Sequence, residues 1–93
     1  MADELKILFH ANFREITNRR EIIEKIEENC TVASVLENLA GRYGKDFNEI
    51  IDPKTGQIST EVLVMLNGRV IRATDTKLKD KDVFIITLPL GGG

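Results

Sequence analysis

The segment TVASVLENLAGRYG, residues 31–44, decides the fold, because it contains the start, the body and the end of one helix. Thr31 offers a hydroxyl oxygen to the free backbone amides of a first helical turn. Gly44 is the residue type that most readily takes the positive φ at which helices end. Between them, apolar residues recur at helical spacing, at Val32, Val35, Leu36, Leu39, Ala40 and Tyr43. The pattern predicts a helix over about residues 32–43 with a single apolar stripe.

Two strand patterns precede this helix. Lys6-Ile7-Leu8-Phe9 begins an alternating pattern in which Leu5, Ile7 and Phe9 share one face. Residues 12–20 are expected to form a polar connection. Glu21–Ile26 is ambiguous, because its β-branched residues favour a strand whereas its Glu and Lys residues suit a helix. We interpret it as a strand, since an antiparallel partner for the first strand lets the small core close.

Three more strands are predicted after the helix. Residues 62–66 are apolar, and Asn67-Gly68 is a strong signal for a tight hairpin that returns through residues 69–72. A turn at residues 80–82 precedes a last strand over residues 83–88, which Pro89 ends because proline cannot donate to a ladder. This order predicts an α+β fold, with one main helix on one face of a mixed sheet of about five strands. The simplest closure places the first and last strands side by side at the centre.

The composition excludes several classes of function. Ninety-three residues with 42% apolar content suit one small domain. The 13 basic and 15 acidic residues give a net charge of -2, so no basic surface for nucleic acid or an acidic membrane is expected. Residues 1–4 lack the layout of a signal peptide, and a cytoplasmic location is expected. Cys30 is the single cysteine, which leaves little from which to build a metal centre or a self-sufficient enzyme site.

The end of the sequence is the strongest candidate for function. We divide the chain into a domain over residues 1–88 and a protruding tail over residues 89–93, in which Leu90 precedes Gly91, Gly92 and Gly93. Glycines make such a tail flexible and thin enough to thread a narrow channel. The tail would carry the carboxylate of Gly93 to another protein's active site. The alternative is that the glycines are a frayed end without a role.

The last strand also suggests a docking surface. Both of its faces are apolar, and one helix cannot cover both faces of a sheet. The second face is covered by loops, or it is tightly sandwiched because these strands are central, or a partner docks on it. We predict that a partner contacts Phe84 and Ile86 on the strand and, further along, Leu88, Pro89, Leu90, Gly91 and Gly92.

Several segments together resemble the ubiquitin-like sulfur carriers, most closely the small subunit of molybdopterin synthase and the archaeal small modifiers. They are residues 6–9 with Phe13-Arg14-Glu15, Thr31-Val32, Leu36 to Tyr43, Val64 to Gly68, residues 76–82 and the ending at residues 89–93. Two positions depart from the family pattern. Lys81 stands where a glycine is common in the turn, and Gly91 stands where the molybdopterin carriers often have Ser or Ala.

The resemblance implies a β-grasp fold and a carrier that is not itself an enzyme. It implies that an adenylating enzyme of the ubiquitin-activating type uses ATP to activate Gly93, and that a sulfur donor then converts it to a thiocarboxylate. No cofactor bound by the chain itself is expected. The large subunit of molybdopterin synthase would receive the tail. The alternatives are sulfur donation to thiamin or to tRNA thiolation, and conjugation of Gly93 to lysines of other proteins.

Overall fold

The computed structural model describes residues 3–89. Their elements are, in chain order, β1 (Asp3–Phe9), α1 (Asn12–Thr17), β2 (Glu21–Ile26), α2 (Val32–Tyr43), a short 3-10 helix (Lys45–Phe47), β3 (Leu63–Leu66), β4 (Arg69–Val70) and β5 (Val83–Thr87). The five strands form one sheet in the order β2-β1-β5-β3-β4. β1 and β5 are parallel neighbours, and the other pairs are antiparallel. The α+β class, the mixed sheet and the central pair of first and last strands are therefore confirmed, and the arrangement is that of a β-grasp fold.

Helix α2 begins and ends where the sequence predicts. The Thr31 hydroxyl accepts a hydrogen bond from the Ser34 amide at 3.3 Å, and the Ser34 hydroxyl accepts one from the Thr31 amide at 3.0 Å. This reciprocal pair satisfies two amides that a helix start otherwise leaves free. At the other end, Gly44 has a φ of 108° and its amide donates to the Ala40 carbonyl. Local chemistry thus fixes both ends of the helix.

The core lies between α2 and one face of the sheet. From the helix, Val32, Val35, Leu36 and Leu39 are buried. From the three central strands, the buried residues are Leu5, Ile7, Phe9, Val64, Phe84 and Ile86. Phe47 on the 3-10 helix closes one end of this layer, with its ring centre 5.9 Å from that of Phe9. A single apolar layer therefore holds the domain together.

Residues 12–20 are not the predicted polar connection, because α1 occupies Asn12–Thr17. The helix has no side-chain cap at its start, where Ala11 adopts φ 55° and ψ -137°. Burial of Phe13 and Thr17 against the domain stabilises the helix instead, and the Thr17 hydroxyl donates to the Phe13 carbonyl at 2.9 Å. Tertiary packing, rather than local sequence signals, makes this turn and a half helical.

In the turn before β5, Lys81 adopts a positive φ, which glycine adopts more readily than lysine. Lys81 has a φ of 68°, and its amide donates to the Glu4 carbonyl at 2.7 Å. The Asp82 carboxylate holds the turn by accepting from the Lys79 amide and from the Asn67 side chain, each at 2.8 Å. Lys81 therefore occupies a positive-φ position of the kind that glycine adopts most readily.

Within residues 3–89, neither α-helix is long and apolar enough to cross a membrane.

Candidate functional site

The chain leaves the domain from the centre of the sheet. β5 lies between β1 and β3, with Thr87 opposite Leu63 and with the Ile86 carbonyl accepting from the His10 amide at 3.0 Å. Directly after the strand, Leu88 is 37% exposed and Pro89 is exposed. Because neighbours on both sides bond β5, the position at which the chain departs is fixed relative to the whole sheet.

The structure describes the predicted contact residues up to Pro89. Leu88 and Pro89 lie at the surface, where a partner can reach them. Leu90, Gly91, Gly92 and Gly93 lie outside the described residues, and their roles stay predictions.

Phe84 and Ile86 do not lie where the predicted partner contact requires. Both are fully buried beneath the helical layer, with an exposed fraction of 0%. Phe84 lies opposite Ile7 of β1, and Ile86 lies opposite Phe9. A partner cannot touch either side chain while the domain is folded. The structure corrects this part of the prediction, and the accessible residues of the strand are those that alternate with them.

The accessible face of the sheet presents an apolar row across four strands. In this row Ile85 of β5 lies between Leu8 of β1 and Met65 of β3, and Met65 lies opposite Val70 of β4. We call this row, together with its apolar neighbours on the same side of the sheet, the open face; its residues are Leu8, Leu63, Met65, Val70, Val83 and Ile85. Five of the six are half-buried, and Val70 is 58% exposed.

The open face and the departure point of the chain are adjacent. Val83, Ile85 and Thr87 point to the open side of β5, and the next alternate residue along the chain is Pro89. A partner seated on Ile85 therefore lies next to the start of the tail. Fully burying an aliphatic side chain contributes about 1.5–3 kcal/mol before the costs of association, so a few residues of this face suffice for specific docking.

The sequence predicts the strand correctly, but the predicted contact residues lie on its buried side. All five residues 83–87 are apolar or β-branched, so alternation alone does not distinguish the faces. The signal that distinguishes them is the alternation of β1, where the exposed Lys6 marks the open side and pairs with Val83. The exposure of Val70 was likewise missed, since β4 is only two residues long.

Among residues 3–89, no group of three or more His, Cys, Asp or Glu side chains could hold a metal ion. The candidate site is the open face together with the adjacent point at which the chain leaves the sheet.

Comparison with known proteins places these features in a family. The model of the ThiS family matches residues 7–93, which includes the whole tail. A curated relative, small archaeal modifier protein 3 of Haloferax volcanii, is 31% identical over 93 residues, covering 97% of this chain and 99% of its own.

Solved structures agree with this assignment. A Haloferax volcanii protein solved in solution has a TM-score of 0.80 at 30% identity, with 99% of this chain and 88% of that one covered. A Pyrococcus furiosus protein described as molybdopterin converting factor subunit 1 has a TM-score of 0.73 at 25% identity, with 95% of this chain and 99% of that one covered.

Proposed function

The chain belongs to the ThiS family of ubiquitin-like carriers and modifiers, and from this premise we propose that it works as an acyl carrier through the carboxylate of Gly93. The observation that carries the proposal is the position of β5. A central strand, bonded on both sides, delivers the chain to the surface beside the open face. One rigid sheet would thereby couple partner recognition to presentation of the tail.

The proposed chemistry begins outside this chain. A carboxylate is a poor electrophile, and attack by a nucleophile requires a leaving group on the acyl carbon. An adenylating partner of the ubiquitin-activating type would transfer AMP from ATP to the Gly93 carboxylate and release pyrophosphate. The acyl-adenylate then offers AMP as the leaving group, and this chain contributes the acyl carbon and the means of docking.

This first step requires both docking on the partner and a tail long enough to reach its catalytic centre. The open face would seat the adenylating enzyme, and Leu88 and Pro89 would direct the chain toward its nucleotide. The five residues 89–93 span about 17 Å when extended, at roughly 3.3–3.6 Å per residue. The partner's catalytic centre must therefore lie within that distance of the point at which the chain leaves the sheet.

Sulfur carriage is the first proposed fate of the activated terminus. Hydrosulfide released by a sulfur donor would attack the acyl carbon and displace AMP, and loss of its remaining proton would leave a thiocarboxylate on Gly93. The likeness to a molybdopterin converting factor subunit supports the pterin pathway as the receiver, with the large subunit of molybdopterin synthase as the partner. Thiamin synthesis and tRNA thiolation use the same activated sulfur and are the alternatives.

Intact-mass spectrometry tests the sulfur proposal. The protein is incubated with the adenylating enzyme of its own organism, ATP and a sulfur donor, and the expected product carries sulfur in place of one oxygen. A variant lacking Gly92 and Gly93 is the matched control and should gain nothing. If the full chain gains no sulfur while a known carrier does so with the same donor, the sulfur proposal fails.

Protein conjugation is the second proposed fate, and the 31% identical archaeal modifier is the observation that favours it. Here the amine of a lysine side chain on another protein displaces AMP directly or through a thioester, loses a proton and forms an isopeptide bond to Gly93.

The sequence supplies a distinctive marker for this reaction. Lys81 is the last basic residue, so trypsin would leave residues 82–93 attached to each acceptor lysine. Peptides carrying this branch in cell extracts, and their loss on deletion of Gly92 and Gly93, would support conjugation. Branched peptides without thiocarboxylate would favour the modifier alone, and the reverse result would favour the sulfur carrier alone.

A further inference from the structure

Strand β2 is an edge of the sheet that remains available for pairing. It pairs with β1 on one side and has no strand on the other within residues 3–89. Its alternate residues Glu21, Ile23 and Lys25 are all exposed, and Ile23 is 53% exposed. An edge strand with an exposed isoleucine at its middle is a template for another strand.

The backbone N–H and C=O groups of the same three residues point away from β1, toward the free edge of the sheet. Arg20 lies opposite Phe9, and its backbone carbonyl accepts a hydrogen bond from the Phe9 amide at 2.8 Å. The backbone N–H and C=O groups of Arg20 therefore face β1. Bonding groups alternate along an antiparallel pair, and those of Glu21, Ile23 and Lys25 therefore face outward. Within residues 3–89, no hydrogen bond from a loop or side chain reaches the backbone of these three residues.

The exposed row of β2 is complementary to itself. When two copies pair antiparallel with Ile23 opposite Ile23, Glu21 of each copy lies opposite Lys25 of the other. One step beyond the strand, Arg19 lies opposite Glu27. All four charged pairs in this register join opposite charges, and the apolar pair lies at the centre.

Other registers that pair the same outward-facing backbone groups do not place opposite charges against each other at every position. A slip of two residues in one direction places Glu21 opposite Glu27, and a slip in the other places Arg19 opposite Lys25. Each slip also sets Ile23 against a charged residue, Lys25 or Glu21. Like charges directly opposite each other destabilise a pair of strands, so one register is selected.

We infer that this protein forms a homodimer by antiparallel pairing of β2 with β2 of a second copy. The two five-stranded sheets join into one sheet of ten strands, with a twofold axis at Ile23 perpendicular to it. This operation leaves both open faces on the same side, and β5 lies two strands away from the interface. The dimer thus presents two docking faces and two departing chain ends, and it does not depend on the proposed chemistry of Gly93.

The interface is small, and the dimer belongs to the weak class. One pair of six-residue strands buries much less than the roughly 1,200 Å² at which stable interfaces begin. Sedimentation equilibrium up to about 1 mM protein covers the range of dissociation constants expected for such contacts. The wild-type chain should show reversible, concentration-dependent dimerisation.

Charge reversal tests the register and the identity of the partner together. Glu21→Lys alone and Lys25→Glu alone each place two pairs of like charges in the interface and should weaken dimerisation by about tenfold or more. The double variant Glu21→Lys/Lys25→Glu restores all opposite pairs and should recover dimerisation. Lys54→Glu, on an exposed loop away from β2, is the control and should leave it unchanged. Thermal melts of each variant exclude unfolding as the cause.

Site-directed cross-linking checks the geometry. In a Cys30→Ser background, Ile23→Cys places two thiols on the twofold axis, where paired Cα atoms lie about 5.5 Å apart and a short bis-maleimide joins them. Lys25→Cys is the matched control, because the two cysteines are then offset by four residues, or about 13 Å along the strands. Efficient linkage at position 23 and not at position 25 supports the dimer.

Two results overturn the inference. The first is a wild-type chain that sediments as a monomer throughout the concentration range. The second is a dimer that the double charge reversal does not restore, which would place the contact elsewhere on the surface. If β2 serves instead as a template for a strand of a different protein, the chain alone stays monomeric, and the first result reports this.

Discussion

Adjacent isoleucines in β5 should respond in opposite ways to the same substitution. Ile86 is fully buried and lies between Phe9 and Val64, both also at 0% exposure. Ile85 is half-buried and lies between Leu8 and Met65 on the open face. Replacing either one with threonine keeps a β-branched residue in the strand, so differences between the variants report the side of the sheet rather than strand propensity.

The expected magnitudes differ several-fold. Ile86→Thr removes part of a buried side chain and places a hydroxyl among apolar neighbours, which together cost about 2–4 kcal/mol of unfolding free energy. For a domain of this size that loss lowers the melting temperature by roughly 10–25 °C. Ile85→Thr removes a partly exposed group and should cost no more than about 1 kcal/mol.

For partner binding, we expect Ile85→Thr to have the larger effect and Ile86→Thr the smaller one. Urea denaturation measures stability, and pyrophosphate exchange with the adenylating enzyme, run well below both melting temperatures, measures docking. Ile85→Thr should weaken docking by about tenfold, corresponding to about 1.4 kcal/mol of lost apolar contact. Ile86→Thr should dock normally once folded. Unchanged docking in Ile85→Thr would refute the assignment of the open face, and unchanged stability in Ile86→Thr would refute the assignment of the core.

Three further outcomes are expected. Ala11→Gly should raise the unfolding free energy by about 1 kcal/mol in urea titrations, because an alanine at φ 55° and ψ -137° is strained; a loss of stability would contradict that backbone. Thr31→Ala should lower it by about 1 kcal/mol through loss of the capping hydroxyl, whereas the exposed Thr55→Ala should change it less. Extra residues after Gly93 should abolish activation in the pyrophosphate assay without shifting the melting temperature; a large shift would place the tail in the core.

The parts of the fold that the sequence predicts are those with strong local signals. Thr31 and Gly44 bound α2, and Asn67-Gly68 makes the predicted hairpin with φ values of 52° and 85°. The central pairing of β1 and β5 follows from closing one sheet over one helix. Each of these depends on backbone preferences or on a simple topological argument.

The parts that the sequence does not predict depend on tertiary contacts. Helix α1 has no side-chain cap, and its two apolar residues, Phe13 and Ile16, are too few to indicate a helix by themselves. The buried side of β5 depends on its register with β1, since every residue of the strand fits either side. The sequence therefore locates β5 but does not show which of its side chains are accessible.

The parallel pairing of β1 and β5 also determines how the domain responds to mechanical load. When a partner pulls on the chain beyond Pro89 while the other end of the protein is held, β5 slides along β1 instead of peeling away from it. The slanted, evenly spaced hydrogen bonds of a parallel pair are then loaded together in shear. The antiparallel contact with β3 adds a second loaded row. Because forced unfolding is governed by the height of the unfolding barrier, this arrangement should make the domain resistant to translocases that pull from its carboxyl end.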